Sequence, residues 1–305
     1  MSNRPASGTI VRLRSGFYYV RTDRGEVVCK LRGKLKQTRL NESLAAVGDR
    51  VSVSLLDDGT AVIEEILPRE TAFFRLAPTT RGEFKQVLLA NLNQVILVFA
   101  CADPEPSMRM LDRFLVIAEK QHIPAVIVAN KIDLVSEPEA DRLFDVYSTL
   151  GYQVLFTSAR KAVRINELRE VLTGKISAFS GPSGAGKSSL LNQIQPELGL
   201  RVGGVKRSSG KGRHTTVVRE LFELDAGGFV ADMPGLRSLS LWDTEPDELD
   251  GYFPELRELV ARCQFSNCSH ISEPGCAVKQ AVENGQVSNV RYNSYVRLRM
   301  GDDES

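Results

Sequence analysis

Gly181-Pro182-Ser183-Gly184-Ala185-Gly186-Lys187-Ser188 matches the phosphate-binding pattern G-x-x-x-x-G-K-[ST] at every fixed position. Its flanks predict the surroundings such a loop needs. Ile176 to Ser180 reads as a short apolar strand, and Ser188 through Ser189 to Ile194 reads as a helix leaving the loop. Glycines let successive backbone N–H groups curl around phosphate oxygens, where a side chain would block the approach. The helix N-terminus adds unsatisfied N–H groups and a partial positive charge. In this pattern Lys187 reaches the β- and γ-phosphates and the Ser188 hydroxyl binds Mg²⁺. The run from Gly181 to Ser189 therefore predicts binding of a nucleoside triphosphate.

Working outward, the residues before the loop alternate between buried strands and helices. Gln94–Ala100 (QVILVFA) is a nearly unbroken apolar run, as expected of a strand covered on both faces. Ser107 is placed to cap a helix with Met108, Leu111, Phe114, Leu115 and Ala118 on one face. Pro124–Ala129 predicts a second buried strand, followed by a helix carrying Leu143, Val146 and Tyr147. The strand Gln153–Thr157 and the helix Ile165–Leu172, ended by Gly174, complete the series. This alternation predicts a doubly wound α/β domain. After the loop, 201–216 is Gly-rich, basic and non-periodic and reads as a mobile loop. A β-hairpin with turn Ala226-Gly227-Gly228 is expected to end at Asp232.

Three stretches specify guanine. Asn130-Lys131-Ile132-Asp133 follows the second buried strand. Guanine presents N1–H and N2–H₂ side by side, which the Asp133 carboxylate can accept bidentately. Adenine lacks that donor pair, which disfavours an ATPase or kinase. Asn130 can bond the other base edge and neighbouring loops, and the Lys131 stem can lie over the ring. Thr157-Ser158-Ala159 ends the next strand, placing a backbone N–H for guanine O6. Asp232-Met233-Pro234-Gly235 sets Asp232 to hold Mg²⁺ and the Gly235 N–H to sense the γ-phosphate. Thr215 and Thr216 are the candidates for the remaining Mg²⁺ ligand, with no choice between them. In most GTPases the P-loop comes first; here N-K-x-D and S-A precede it. The domain is thus expected to be circularly permuted, with new ends just after D-M-P-G and just before Gln94–Ala100.

Residues 1 to about 68 show five short strand-like runs: Thr9–Val11, Phe17–Val20, Val27–Leu31, Val47–Val53 and Ala61–Ile66, the last two joined at Asp58-Gly59. They predict a small OB-type β-barrel. Residues 1–40 carry ten Lys/Arg, with Asp23 and Glu26 opposing them, although the 305-residue chain has a formal charge of only +1. Basic residues interleaved with aromatics suit a nucleic-acid binder; the alternative is a solvated basic face on a barrel that only packs internally. No eighteen-residue apolar run appears and the N-terminus lacks a signal-peptide core, so a cytoplasmic protein with reduced thiols and no membrane partner is expected.

Cys263-x₄-Cys268-x-His270-x₅-Cys276 gives three thiolates and an imidazole within one short stretch, a closed set for one structural Zn²⁺. Short helices are expected around it at Pro254–Arg262, Ala277–Asn284 and about Ser288–Arg299. So small a module lacks the core to hold itself, and the metal would contribute about 10–16 kcal/mol.

These features together resemble the ribosome small-subunit-dependent GTPase A (RsgA/YjeQ) family: a basic barrel, a permuted GTPase with G-P-S-G-x-G-K-S-S, G-R-H-T-T and D-x-P-G, and a C-x₄-C-x-H-x₅-C tail. The expected fold class is α/β, with an OB-fold barrel over 1–68, a circularly permuted P-loop GTPase domain over 69–240, and a helical zinc-binding domain over 241–305. The resemblance implies a monomeric bacterial assembly factor that binds GTP and GDP. It would hydrolyse GTP as a ribosome-stimulated release switch late in small-subunit maturation, bound to 16S rRNA and not to DNA. A rival from another class is an RNA-binding structural protein that GTP merely stabilises. Gly184 stands where some assembly GTPases carry the Asn of a potassium site, so potassium dependence is not expected. Leu236 stands where Ras-type enzymes place the water-orienting glutamine. His214, beside Thr215 and Thr216, is the candidate replacement, the alternative being a polar loop residue without a catalytic role.

Overall fold

The computed structural model describes residues 5–36, 42–56, 60–79, 82–200, 218, 220–233 and 244–301. The chain divides into two compact units, one made of 1–95, 169–180 and 207–235, the other of 96–168, 181–206 and 236–305.

The first unit begins with a closed barrel. Its strands are β1 (Ala6–Arg14), β2 (Phe17–Thr22), β3 (Gly25–Leu31), β4 (Arg50–Leu55) and β5 (Ala61–Ile66), in the order β1-β2-β3-β5-β4. All neighbours are antiparallel except β3 and β5, which is OB-fold connectivity. Alternating residues Ile10, Val20, Cys29, Leu31, Val51, Val53 and Ile63 fill the interior. Burial pushes the Cys29 thiol up to about 11, so it behaves as a small apolar residue. β4 starts three residues later than the sequence pattern suggests. Asp49 is the reason: its buried carboxylate accepts from the Ala46 N–H at 2.7 Å and from Arg69 Nε at 2.7 Å, fixing a turn rather than a strand. The Asp58-Gly59 turn lies outside the described residues. A four-residue helix, α1 (Gly33–Lys36), follows β3.

A ribbon not foreseen in the sequence comes next: β6 (Ala72–Thr79) paired antiparallel with β7 (Gly82–Ala90). The barrel also carries a strand-like contact with the stretch around 220. The Leu221 N–H donates to the Val11 carbonyl at 2.7 Å, and Arg12 and Arg21 pair with Glu220 and Glu223 at 3.1 and 2.7 Å.

The α/β part carries six strands, β8 (Gln94–Ala100), β9 (Ala125–Asn130), β10 (Gln153–Thr157), β11 (Ile176–Ser180), β12 (Phe222–Glu223) and β13 (Phe229–Asp232). β9 and β10 pair parallel, as do β11 and β13, while β12 closes a hairpin antiparallel to β13. Every residue of β8 and β11 is buried, the polar Gln94, Ser177 and Ser180 included, as befits strands covered on both faces. The helices are α2 (Met108–Lys120), α3 (Glu137–Thr149), α4 (Ile165–Leu172) and α5 (Lys187–Ile194). Ser107 caps α2, its hydroxyl accepting from the Met110 N–H at 3.3 Å.

The C-terminal module holds α6 (Pro254–Val260), α7 (Ala277–Glu283) and α8 (Asn289–Arg299) around Phe253, Leu256, Val278 and Tyr295. Val116 of α2 belongs to that core. Consequently α2 is buried over more than the stripe its sequence shows, with Asp112, Val116 and Ile117 covered as well. Among the described residues no helix is long and apolar enough to cross a membrane.

Candidate active site and metal centre

The phosphate loop runs from β11 to α5, as its sequence requires. Gly181 has φ +139°, and a Cβ there would sit 2.0 Å from the Val98 carbonyl oxygen. Gly186, at φ +96°, sets up α5, and a Cβ there would strike Asn130 Nδ2 at 2.3 Å. Ala185 is buried, whereas Ser183 and Gly184 face solvent at the loop tip. Lys187 Nζ donates to the carbonyls of Gly181 and Pro182, both at 2.9 Å, so the ammonium is folded back over its own loop.

The N-K-x-D and T-S-A stretches reach this loop through the Asn130 side chain. Asn130, 1% exposed, donates from Nδ2 to the Ala185 carbonyl at 2.8 Å. Its Oδ1 accepts from the Thr157 hydroxyl and from the Ala159 N–H, each at 3.2 Å. Both ends of the amide therefore go to neighbouring loops. Asp133 is oriented in turn: the buried Ser158 hydroxyl donates to its Oδ1 at 2.5 Å while accepting from the Lys161 N–H at 3.0 Å. Lys131 adopts a left-handed conformation, φ +64°, and its ammonium bonds the Asp103 carbonyl. These loops enclose a cleft of about 440 Å³, lined among others by Asp103, Lys131, Asp133, Ala159, Gly186 and Ser189. That volume suits one small-molecule ligand.

Asp232 is the last residue of β13, and the Met233 N–H beyond it donates to the Phe179 carbonyl at 2.9 Å. Thr215, Thr216, His214, Gly235 and Leu236 lie outside the described residues. Cys101 and His122 join neither constellation; burial foremost, with Glu139 second, pushes the Cys101 thiol up to about 11.

The four zinc-ligand candidates converge. The donor atoms of Cys263, Cys268, His270 and Cys276 all lie within 4.8 Å of one another. His270 Nδ1 is 3.5 Å from Cys263 Sγ and 3.4 Å from Cys276 Sγ, and those two sulfurs are 4.0 Å apart. Zinc bonds of about 2.3 Å to sulfur and about 2.0–2.1 Å to nitrogen put tetrahedral neighbours roughly 3.5–3.8 Å apart. The donor set and its spacing thus fit a closed Zn²⁺ site. Two supports escaped the sequence reading. His270 Nε2 lies 3.1 Å from Asp250, the carboxylate partner that fixes which nitrogen faces a metal. Glu273 accepts from the N–H groups of Ser269, Ile271 and Ser272 at 2.8, 3.2 and 3.1 Å. The Ser269 side chain foremost, then the backbone N–H groups of Ser269, Glu273 and Ile271, hold its carboxyl down to about 2.

Comparison with known proteins identifies the family. Residues 66–242 match the RsgA GTPase family and residues 7–63 the RsgA N-terminal domain. The chain belongs to the RsgA GTPase family. It is 44% identical over 289 residues to the small ribosomal subunit biogenesis GTPase RsgA of Moorella thermoacetica, covering 95% of this chain and 94% of that one. The RsgA of Gemmatimonas aurantiaca is 45% identical over 297 residues, with 96% of each chain covered. The crystal structure of YjeQ from Thermotoga maritima superposes with a TM-score of 0.80 at 39% identity, covering 97% of this chain and 98% of that one. YloQ, described as a circularly permuted GTPase, gives 0.75 at 31% identity, with 99% and 96% covered. The RsgA family relationship extends through the barrel, the permuted α/β part and the Cys₃His module, and it makes the chain a GTP hydrolase of the permuted type.

Proposed function

We propose that this chain is a small-ribosomal-subunit biogenesis factor that binds GTP in the Asn130–Asp133 cleft and hydrolyses it to GDP and phosphate as a release switch. The observation that carries the site is the Asn130 amide, which joins the guanine loops to the phosphate loop around one cleft. In this reading Asp133, held by Ser158, accepts the paired N–H groups of guanine. The Ala159 N–H bond to Asn130 is long enough, at 3.2 Å, to be shared with guanine O6. The backbone of Gly181–Ser189 cradles the phosphates, and Lys187 leaves the Gly181 and Pro182 carbonyls for the β- and γ-oxygens. Bound Mg²⁺ would neutralise phosphate charge, with Ser188 and, on sequence grounds, Asp232 and one of Thr215 and Thr216 as its ligands. Zn²⁺ would be held by Cys263, Cys268, His270 and Cys276 in a structural role.

The partner is the small subunit, through 16S rRNA, and the working place is the cytoplasm. On the barrel, Lys30 lies 5.2 Å from the half-exposed Phe17 ring. Cations over aromatic rings suit backbone phosphates and stacked bases. The deciding experiment is GTP hydrolysis by the chain alone, with isolated small subunits, and with large subunits. Stimulation by small subunits only is expected; equal rates in all three would reject the proposal.

A further inference from the structure

Arg291 of α8 is 1% exposed and Asp112 of α2 is fully buried, and the two pair at 2.6 Å. The remaining guanidinium nitrogens grip Glu255 of α6 at 2.7 and 3.1 Å. Tyr147 of α3 donates its hydroxyl to the same Asp112 oxygen at 2.8 Å. Burial alone would favour deprotonated Arg291, and Asp112 and Glu255 more than offset that. Breaking such a pair on one side leaves an uncompensated buried charge, which is strongly destabilising. α2 and the C-terminal module are therefore fastened in one arrangement.

The fastening is continuous with both ligand sites. Toward the metal centre, the Arg291 guanidinium lies 4.5 Å from the Phe253 ring, which meets Tyr295 edge-on at 5.5 Å. The Tyr295 ring is 6.0 Å from His270, and its hydroxyl donates to the Ser269 carbonyl at 2.9 Å. Toward the cleft, α2 follows directly from the 101–107 loop. That loop is tied to the N-K-x-D loop at two points: the Cys101 N–H donates to the Asn130 carbonyl at 2.8 Å, and the Asp103 carbonyl accepts from the Lys131 ammonium. Pro104 also stands beside the phosphate loop, its Cδ 3.3 Å from where a Cβ on Gly184 would lie.

We propose that zinc and guanine nucleotide bind cooperatively, each strengthening the other, with Asp112 and Arg291 as the positioning residues that couple the two sites. The proposal rests on the zinc and nucleotide assignments above. Without the metal, the His270 loop no longer holds Tyr295 and Phe253 over Arg291, and α2 with the 101–107 loop loses its fixed seat. Nucleotide in the cleft pins the same loop from the other side. Linkage makes the effect reciprocal, so either ligand can report it.

The test uses the full-length, zinc-loaded protein. Zinc content and GDP affinity are measured first, since absence of either would reject the corresponding site assignment rather than the coupling. Zinc affinity is then measured by equilibrium competition with a chromogenic chelator, with and without saturating GDP. Tightening by about fivefold or more is expected, the lower end of ordinary allosteric coupling. Equal affinities would overturn the proposal. The network is next neutralised with volume nearly kept, by Arg291→Met, Asp112→Asn and Glu255→Gln together. This variant should keep zinc and GDP binding while the effect of GDP on zinc affinity disappears; a retained effect would equally overturn the proposal. Should the triple variant not fold, Tyr147→Phe removes a single donor to Asp112, and the GDP effect should shrink there, an undiminished effect again counting against the route.

Discussion

Asn130 Nδ2 donates to the Ala185 carbonyl at 2.8 Å, so the loop proposed to read the base and the loop proposed to hold the phosphates form one hydrogen-bonded unit. Asn130→Ala would leave the Ala185 carbonyl, the Ala159 N–H and the Thr157 hydroxyl without this partner in a buried setting. Each such loss costs about 1–3 kcal/mol. Thermal unfolding should move down and GDP affinity should fall by at least about tenfold, one decade being about 1.4 kcal/mol. Calorimetric titration showing unchanged affinity would remove Asn130 from this role.

Gly186→Ala tests the same contact from the other side. Its Cβ would meet Asn130 Nδ2 at 2.3 Å, whereas a Cβ on Gly184 meets nothing nearer than Pro104 Cδ at 3.3 Å. Both glycines have positive φ, so the conformational penalty is shared and the clash alone differs. Gly186→Ala should abolish nucleotide binding, and Gly184→Ala should only weaken it. The reverse order would show that the approach of Asn130 is not what the glycine protects.

Base selection is expected to reside in Asp133 and its support. Asp133→Asn should weaken GTP and favour xanthosine triphosphate, whose N2 position carries an accepting oxygen. Ser158→Ala removes the 2.5 Å donor that aims Asp133. It should weaken GTP roughly tenfold without improving the xanthine nucleotide, since a single charge-assisted bond is worth about 1.5–3 kcal/mol. Competition binding with the two nucleotides separates lost orientation from changed chemistry.

Purified protein should carry about one Zn²⁺, lost on joint substitution Cys263→Ser and Cys268→Ser. Asp250→Asn keeps all four ligands but weakens the bond to His270 Nε2, and zinc affinity should drop by about 10–100-fold. Metal analysis finding no zinc in freshly isolated, unchelated protein would overturn the assignment.

Much of this site could be read from residue order because its parts are local. The phosphate loop, N-K-x-D and the Cys₃His set each bring their candidate ligands within one short stretch, and β8, β10 and β11 begin and end where the sequence pattern places them. Contacts across long stretches of sequence left no such trace. Asp250 stands twenty residues before His270, and Asp112 is 179 residues from Arg291. On α2 the acidic residue looks like part of a solvated face, and only the covering module makes it internal. The β6–β7 ribbon was hidden for a different reason. Its first strand includes Pro78, its second mixes Glu83 and Lys85 with apolar residues, and neither alternates cleanly. Their pairing defines them together with burial concentrated at one end, where Phe73, Val87, Leu88, Leu89 and Ala90 are covered.

The final prediction concerns how hydrolysis is started. Leu236 directly follows D-M-P-G and can neither donate nor accept a hydrogen bond, so the chain lacks the glutamine that orients water in Ras-type enzymes. Intrinsic turnover should therefore be slow. His214 is the candidate replacement because it immediately precedes Thr215 and Thr216, whose hydroxyls are the candidates for the Mg²⁺ site. The same stretch carries Lys206, Arg207, Lys211 and Arg213, cations suited to RNA phosphates. Contact with the small subunit would then bring the imidazole to the attacking water and raise the rate. His214→Ala should bind GTP normally and lose most of the subunit-stimulated turnover, seen as a fall in kcat at unchanged nucleotide affinity. Wild-type stimulated turnover in that variant would assign the water to a backbone group or to the ribosome itself.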